Sequence, residues 1–310
     1  MIHISVIIAT YNRGGRLLRT LRSLAAQTMP AGEWEAIVVN NNSTDDTADV
    51  FARFASGEGR PLDIRMVDEP RQGLSWARNR GLDEARGAII VMIDDDEEIN
   101  PGFLRAYSDF FASHPAALAA GGPMVACYEE SRPRWMSHYT EALAASTIDL
   151  GRKVRRFPRG RYPIGGNMAF RREVFSRFGT FDPALGRTGG VLLGGEEKEL
   201  FARIAAGSGS GFDDSGGGIW WVPGAVVNHL IPASRVTDAH FRRLSRMVGV
   251  TARILSRSRG GYLGALMGEA IKWCATLVIA LWFTLTLRPS KSRYLLIMRR
   301  QITSGLLSSE

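Results

Sequence analysis

The sequence predicts an α/β protein whose sheet is covered on both faces. Strand-type and helix-type patterns alternate through residues 1–100, and the strand segments are unbroken apolar runs. With 310 residues, 45% hydrophobic and 23% charged, the chain suffices for one large domain plus an appendage.

The elements follow in order. A strand is expected over 4–9, where Ile4, Val6, Ile7 and Ile8 sit almost side by side, and then a helix with Leu17, Leu18, Leu21, Leu24 and Ala25 at helical spacing. A strand over 35–40, a helix over 48–54, a short strand over 64–67, a helix over 75–85 and a strand over 88–93 continue the alternation. Ligands of such sheets bind outside the carboxyl ends of the strands. Two of those ends, Asn40-Asn41-Asn42-Ser43 and Asp94-Asp95-Asp96, are densely polar. A further helix is expected over 102–113. Between 128 and 162 the pattern loosens around Pro133 and Pro158, with Pro163 just beyond. The basic run there, Arg152, Lys153, Arg155, Arg156, Arg159 and Arg161, reads as a solvated loop or as an anion contact for a diphosphate-bearing acceptor. The Gly/Ser-rich stretch 207–218 reads as a flexible surface loop.

The chain divides by charge. Residues 1–234 hold 26 Lys/Arg against 28 Asp/Glu, a net −2, whereas 235–310 hold 13 against 3, a net +10. The boundary is expected near 232–236, giving a core of 1–234 (a nucleotide-binding half of about 1–100 and an acceptor half of about 101–234) and a basic helical tail of 235–310. A basic tail could meet nucleic acid or an anionic membrane, and the charge-free run 273–287 decides for the membrane, with no nucleic-acid partner expected. Its fifteen residues fall short of the roughly 20 a spanning helix needs. It therefore reads as a shallow or re-entrant membrane helix anchored by Trp273 and Trp282, with a buried core helix or a full span as alternatives. The N-terminus opens on a strand without a signal-peptide pattern, and Cys127 and Cys274 have neither disulfide-framework nor metal-site spacing, so a non-exported protein in a reducing compartment is expected.

Chemistry gathers at the end of the strand over 88–93, where Asp94, Asp95, Asp96, Glu97 and Glu98 follow one another. Such a run repels itself unless a cation sits within it, and alternate strand residues such as Asp94 and Asp96 point the same way. Hard oxygen donors on an open strand end suit Mg2+ or Mn2+, with substrate phosphates completing the shell; an acidic turn before the helix at Pro101 is the alternative.

Ordered motifs add to this: Ser5-Val6-Ile7-Ile8-Ala9-Thr10-Tyr11-Asn12-Arg13, Val38-Val39-Asn40-Asn41-Asn42-Ser43-Thr44-Asp45-Asp46-Thr47, Gly73-Leu74-Ser75-Trp76-Ala77-Arg78-Asn79, Ile93-Asp94-Asp95-Asp96, Gly165-Gly166-Asn167-Met168-Ala169-Phe170 and Gly194-Gly195-Glu196-Glu197. Over roughly 3–235 the sequence resembles the family 2 glycosyltransferases of the GT-A fold, a Rossmann-like mixed sheet. The resemblance implies that Thr10, Tyr11, Asn12, Arg13 and Asn41 hold the base and ribose of a nucleotide-sugar donor, a UDP-sugar being favoured. The family usually has aspartate where this chain has Asn40 and Asn41. Arg78 would brace the acidic loop, and Gly166 and Asn167 would line the sugar. Asp94 and Asp95 would bind the donor; Asp94, Asp96 and His229 would hold the metal. The second residue of the family's Glu-Asp pair, here Glu197, would be the base, with Glu196 beside it as the alternative.

The resemblance implies an inverting, metal-assisted transfer of a sugar to a glycan or lipid-linked acceptor, in surface-polysaccharide synthesis at the cytoplasmic face of the cell membrane. A nucleotidyltransferase is the nearest other enzyme, but Ala9-Thr10-Tyr11-Asn12-Arg13 is not its Gly-rich signature. A membrane-bound nucleotide-sugar binder without turnover is the third reading.

Overall fold

The computed structural model describes residues 2–189, 192–207, 218–258 and 260–308. The loop expected over 207–218 lies almost wholly outside them. The chain forms two units, one of Met1–Val125, Ile148–Gly189 and Glu196–His229, the other chiefly of Ala126–Thr147 and Leu230–Glu310.

The first unit opens with the expected alternation: β1 (Ile4–Thr10), α1 (Gly14–Ala25), β2 (Trp34–Asn40), α2 (Thr47–Ser56), β3 (Ile64–Asp68), α3 (Leu74–Glu84) and β4 (Ile89–Asp94). It continues through β5 (Glu97–Ile99), α4 (Phe103–Ser113), β6 (Ala119–Gly121) and the start of β7 (Met124–Tyr128). The helix α5 (His138–Ala144) belongs to the second unit. β8 (Arg155–Arg156), β9 (Met168–Arg171), α6 (Glu173–Phe178), α7 (Glu196–Gly207), β10 (Ile219–Trp221) and most of β11 (Val227–Ile231) complete the first.

Eight strands form one sheet in the order β3-β2-β1-β4-β9-β6-β10-β8. The first four in chain order are parallel, while β9 runs antiparallel between β4 and β6, making the sheet mixed. Side chains alternate between faces: Val6, Ile8, Val38, Val91 and Ile93 pack in one core and Ile7, Ile37, Val39, Ile90 and Met92 in the other. That two-sided burial is why these strands read as continuous apolar runs. α1 closes one face with Leu17, Leu21 and Leu24.

Strand order reverses at β1, with β2 on one side and β4 on the other, and the loops leaving their carboxyl ends diverge there. Such a switch point opens a crevice for a ligand. A second sheet, β5-β11-β7, pairs His229 with Glu97 across antiparallel strands. The basic run contributes β8 to the edge of the large sheet, Arg156 lying 5.2 Å over the Trp220 ring. The remaining five basic side chains of that run are exposed, a composition that discourages further edge pairing.

The second unit contains α8 (Asp238–Ser258), α9 (Tyr262–Leu285) and α10 (Pro289–Leu307). Helices α8 and α10 cross at two glycines: a methyl on Gly249 would strike the Ile302 carbonyl, and one on Gly305 that of Arg246. Trp135 stacks on Tyr294 at 4.2 Å and meets Phe241, while Met136 and Ala144 join Leu295 and Met298 in the unit's core. The segment 126–147, expected in the acceptor half, thus packs with the tail.

The apolar tail helix is longer than the run 273–287 suggests. It begins at Tyr262 and has 24 residues, about 36 Å at 1.5 Å per residue. Only 17% of its most apolar window is buried within the described protein, so it is not a core helix.

Candidate active site at the carboxyl ends of β1, β2 and β4

Three loops meet at the switch point, and side chains join the first two. Asn12, at φ 53°, accepts hydrogen bonds from the Thr44 and Asp45 amides at 2.7 and 3.3 Å, while its own amide donates to Ser43 Oγ. A left-handed conformation is one that asparagine tolerates better than most residues. The Arg13 amide donates to Thr47 Oγ1 at 3.1 Å. Tyr11 stands 39% exposed beside them, its ring open to a stacking partner.

Asn41 is buried and its amide fully engaged. Nδ2 donates to the carbonyls of Glu69 and Arg71 at 2.9 and 2.8 Å, and Oδ1 accepts from the Gly73 amide and Gln72 Nε2. A carboxylate could not donate to the two carbonyls. The amide at this position therefore organises the 69–73 loop. Asn40 bonds Asp68 Oδ1 and the Ser43 amide.

The third loop carries the carboxylates, each in a different setting. Asp94 is partly exposed, 3.2 Å from Arg78 Nη2. Asp95 is buried, accepting from Thr10 Oγ1 at 2.8 Å. Burial pushes its carboxyl up, against the pull of Arg13 and with the repulsion of Asp96. Asp96 is buried too, with Arg13 Nη1 2.5 Å from Oδ2 and His229 Nε2 3.7 Å from Oδ1. Five residues expected at the site, Thr10, Arg13, Asp95, Asp96 and His229, are thereby brought together.

The structure adds Glu97, which the sequence singles out only as part of an acidic run. Its side chain is buried, Oε2 accepts from the Asp94 amide at 2.8 Å, and Oε1 has no hydrogen-bond partner among the described residues. Burial first, then Asp94 and Asp96, push this carboxyl well above the usual range. Any side chain on residue 166 would collide with it, which accounts for Gly166. Asn167 is fully buried and spent on structure: Oδ1 accepts from Tyr107 at 2.6 Å, and Nδ2 donates to the carbonyls of Pro123 and Ala225.

Arg78 connects the acidic loop to the other end of the site. Buried, it donates to Glu196 Oε1 at 2.8 Å, Asp94 Oδ1 at 3.2 Å and the Gly165 carbonyl at 3.1 Å. Glu196 is consequently locked, with its second oxygen buried and unpartnered among the described residues. Burial, then Glu197, raise its carboxyl to about 7 against the pull of Arg78. Glu197, half-buried in the first turn of α7, makes no hydrogen bond among the described residues.

A cation would find oxygen from Asp96 and imidazole nitrogen from His229, a donor pair that suits Mn2+. Among the described residues no three His, Cys, Asp or Glu side chains converge into a cage. A site relying on one or two protein donors plus substrate phosphates needs none. A separate cleft of about 550 Å³, lined by Leu82, Ala88, Arg171 and Glu173, lies toward the opposite end of β4 from the carboxylates.

The protein family described as Glycosyl transferase family 2 matches residues 5–179. The succinoglycan biosynthesis protein ExoM of Rhizobium meliloti (strain 1021) is 28% identical over 314 aligned positions, covering 99% of this chain and 93% of ExoM. Two solved structures share the fold. The mannosyltransferase PcManGT of Pyrobaculum calidifontis, in complex with GDP-Man and Mn2+, superposes with a TM-score of 0.62 at 19% identity, covering 99% of this chain and 88% of that one. S. aureus TarS 1-349, in complex with UDP-GlcNAc, gives 0.56 at 17% identity, covering 98% and 91%. The chain spans 40% of a longer TarS structure.

Proposed function

The chain belongs to glycosyl transferase family 2, and on that premise we propose that it moves a sugar, with inversion and metal assistance, from a nucleoside diphosphate to a hydroxyl of a glycan or lipid-linked acceptor. The acceptor oxygen bonds to the anomeric carbon as the bond from that carbon to the diphosphate oxygen breaks. The hydroxyl proton passes to Glu197, and the nucleoside diphosphate leaves with the electron pair. A divalent cation held by Asp96 and His229 would neutralise charge on the leaving diphosphate. Thr10, Tyr11 and Arg13 face the nucleotide, while Asn12 and Asn41 fix the loops around it.

The observation that carries this reading is Arg78, which ties Asp94 at the donor end to Glu196 at the start of α7, while Glu197 makes no hydrogen bond among the described residues. An acid so placed is available for a proton. UDP- and GDP-sugars are both candidates, since TarS is solved with UDP-GlcNAc and PcManGT with GDP-Man. The name of ExoM supports a polysaccharide pathway. Incubating the full chain with sugar-labelled UDP- and GDP-donors, Mn2+ and a membrane extract should move label into the lipid or glycan fraction with inverted anomeric configuration. Label bound but never transferred would reduce the protein to a binder, and sugar nucleotide made from sugar phosphate would make it a nucleotidyltransferase.

The second unit supports work at a membrane. Leu263, Ile271, Val278 and Leu285 of α9 are 77, 70, 69 and 70% exposed, on one face of the helix together with Met267 and Trp282. On its protein side Glu269 pairs with Arg299 at 2.9 Å. A full span would put Lys272 near the bilayer midplane, whereas a helix lying in the interface leaves that charge at the water edge. Basic residues beside an apolar segment favour the cytoplasmic side. Ile271→Asp with Val278→Asp is expected to lower binding to phosphatidylglycerol vesicles at least tenfold, because withdrawing each of these side chains from an apolar phase costs about 1.5–3 kcal/mol, while nucleotide binding is unchanged. Unchanged vesicle flotation would remove α9 from the membrane.

A further inference from the structure

Arg13 occupies a place that the donor chemistry above does not explain. It sits just before α1 with its amide fixed to Thr47 at the start of α2, which anchors its backbone. Its guanidinium lies 2.5 Å from Asp96 Oδ2 and 3.4 Å from Asp95 Oδ1, and those two carboxylates are buried. The Arg13 side chain itself is 30% exposed, so a path to the solvent side of the crevice is open. One organic cation thus neutralises a pair of acids that would otherwise repel each other out of water. A carboxylate oxygen engaged in a short bond to guanidinium cannot give the same lone pair to a metal, and two cations packed on one carboxylate repel.

We propose that Arg13 is a tethered counter-cation: it neutralises Asp95 and Asp96 in the nucleotide-free protein, yields Asp96 to the divalent cation, and moves onto the donor diphosphate. This rests on the reading of Asp96 as the cation's carboxylate. The exchange disfavours metal binding to the empty site, because the competent form is only the fraction in which Arg13 has let go. It favours metal and nucleotide arriving together, since the diphosphate offers the displaced guanidinium a new bidentate partner.

The sign of the effect separates this role from a structural ion pair. With the full-length chain in detergent, free Mn2+ is measured by electron paramagnetic resonance without nucleotide. Arg13→Gln is expected to bind Mn2+ at least fivefold more tightly than wild type, and Arg13→Lys, which keeps a cation, within about twofold of wild type, an order-of-magnitude expectation for a paired form that dominates the population. With Mn2+ saturating, Arg13→Gln should lose at least about tenfold in UDP or GDP affinity, the size of one charge-assisted contact.

A second readout needs no variant. Phenylglyoxal labelling of Arg13 in the wild-type chain, followed by mass spectrometry, should rise when Mn2+ is added alone and fall when UDP or GDP joins it. Equal or weaker Mn2+ binding by folded Arg13→Gln, or labelling that ignores Mn2+, overturns the proposal and leaves metal-assisted transfer standing. No Mn2+ binding by either protein even with UDP or GDP present overturns both.

Discussion

Glu197→Gln is expected to bind nucleotide sugar like wild type yet transfer it at least about 100-fold more slowly, because general-base assistance is typically worth 10² to 10⁴ and an amide keeps the shape without accepting the proton. Glu196→Gln should behave differently. Glu196 is buried and bonded to Arg78, so the amide would disturb the anchor and leave the proposed base in place. Single-turnover transfer of labelled sugar from pre-bound donor measures the chemical step without product release. Near-normal turnover by Glu197→Gln alongside a collapse in Glu196→Gln would move the base to the other residue. Indifference of both would sink the mechanism.

The parts of this protein legible in the sequence are those whose signal is local. β1, β2 and β4 announce themselves as apolar runs because both of their faces are covered, and the loops after them are polar because they end at the crevice. β9 is not legible: Met168–Arg171 is four residues long, and its antiparallel place between β4 and β6 is a tertiary fact. α5 is hidden between prolines, although Ser137 and Thr140 form its capping box. The length of α9 is obscured by Glu269 and Lys272. The first is neutralised by Arg299 thirty positions away, and the second is exposed.

Within the site, residue types can be read but not their loads. Asn12, Asn41 and Asn167 are expected from the sequence to meet the donor, yet their side chains are committed to backbone groups 28 to 58 positions away. No spacing rule marks an asparagine whose partners lie that far along the chain. Glu97 is told from its acidic neighbours by its place directly under Gly166, which depends on a strand pairing the sequence does not display.

Arg78→Met is the substitution expected to cost the fold most. The side chain is 4% exposed and its guanidinium serves Glu196, Asp94 and the Gly165 carbonyl at once. Where Glu196 is ionised, removing one partner of a buried ion pair leaves the other charge uncompensated, typically about 3–5 kcal/mol, whereas two well-packed apolar groups there would not have carried that penalty. Arg22→Met, which breaks the solvent-exposed pair with Glu58, should leave the denaturation midpoint where it is. The loss should also depend on pH in a definite direction. Glu196 already stands at about 7 in the folded wild type, raised by burial and by Glu197 and held down by Arg78, against 4.5 unfolded. A carboxyl raised in the folded state contributes its stability below the unfolded value and loses it as pH climbs to the folded value. Without Arg78 the folded value rises further. Below about pH 7 Glu196 is protonated in both proteins and its contribution cancels; above it, only the variant continues to lose stability, at about 1.4 kcal/mol per pH unit until its own folded value is reached. Chemical denaturation of both proteins at pH 6 and pH 8 should therefore find the wider gap at pH 8. A gap that is the same at both, or wider at pH 6, would mean that Arg78 does not govern the charge on Glu196.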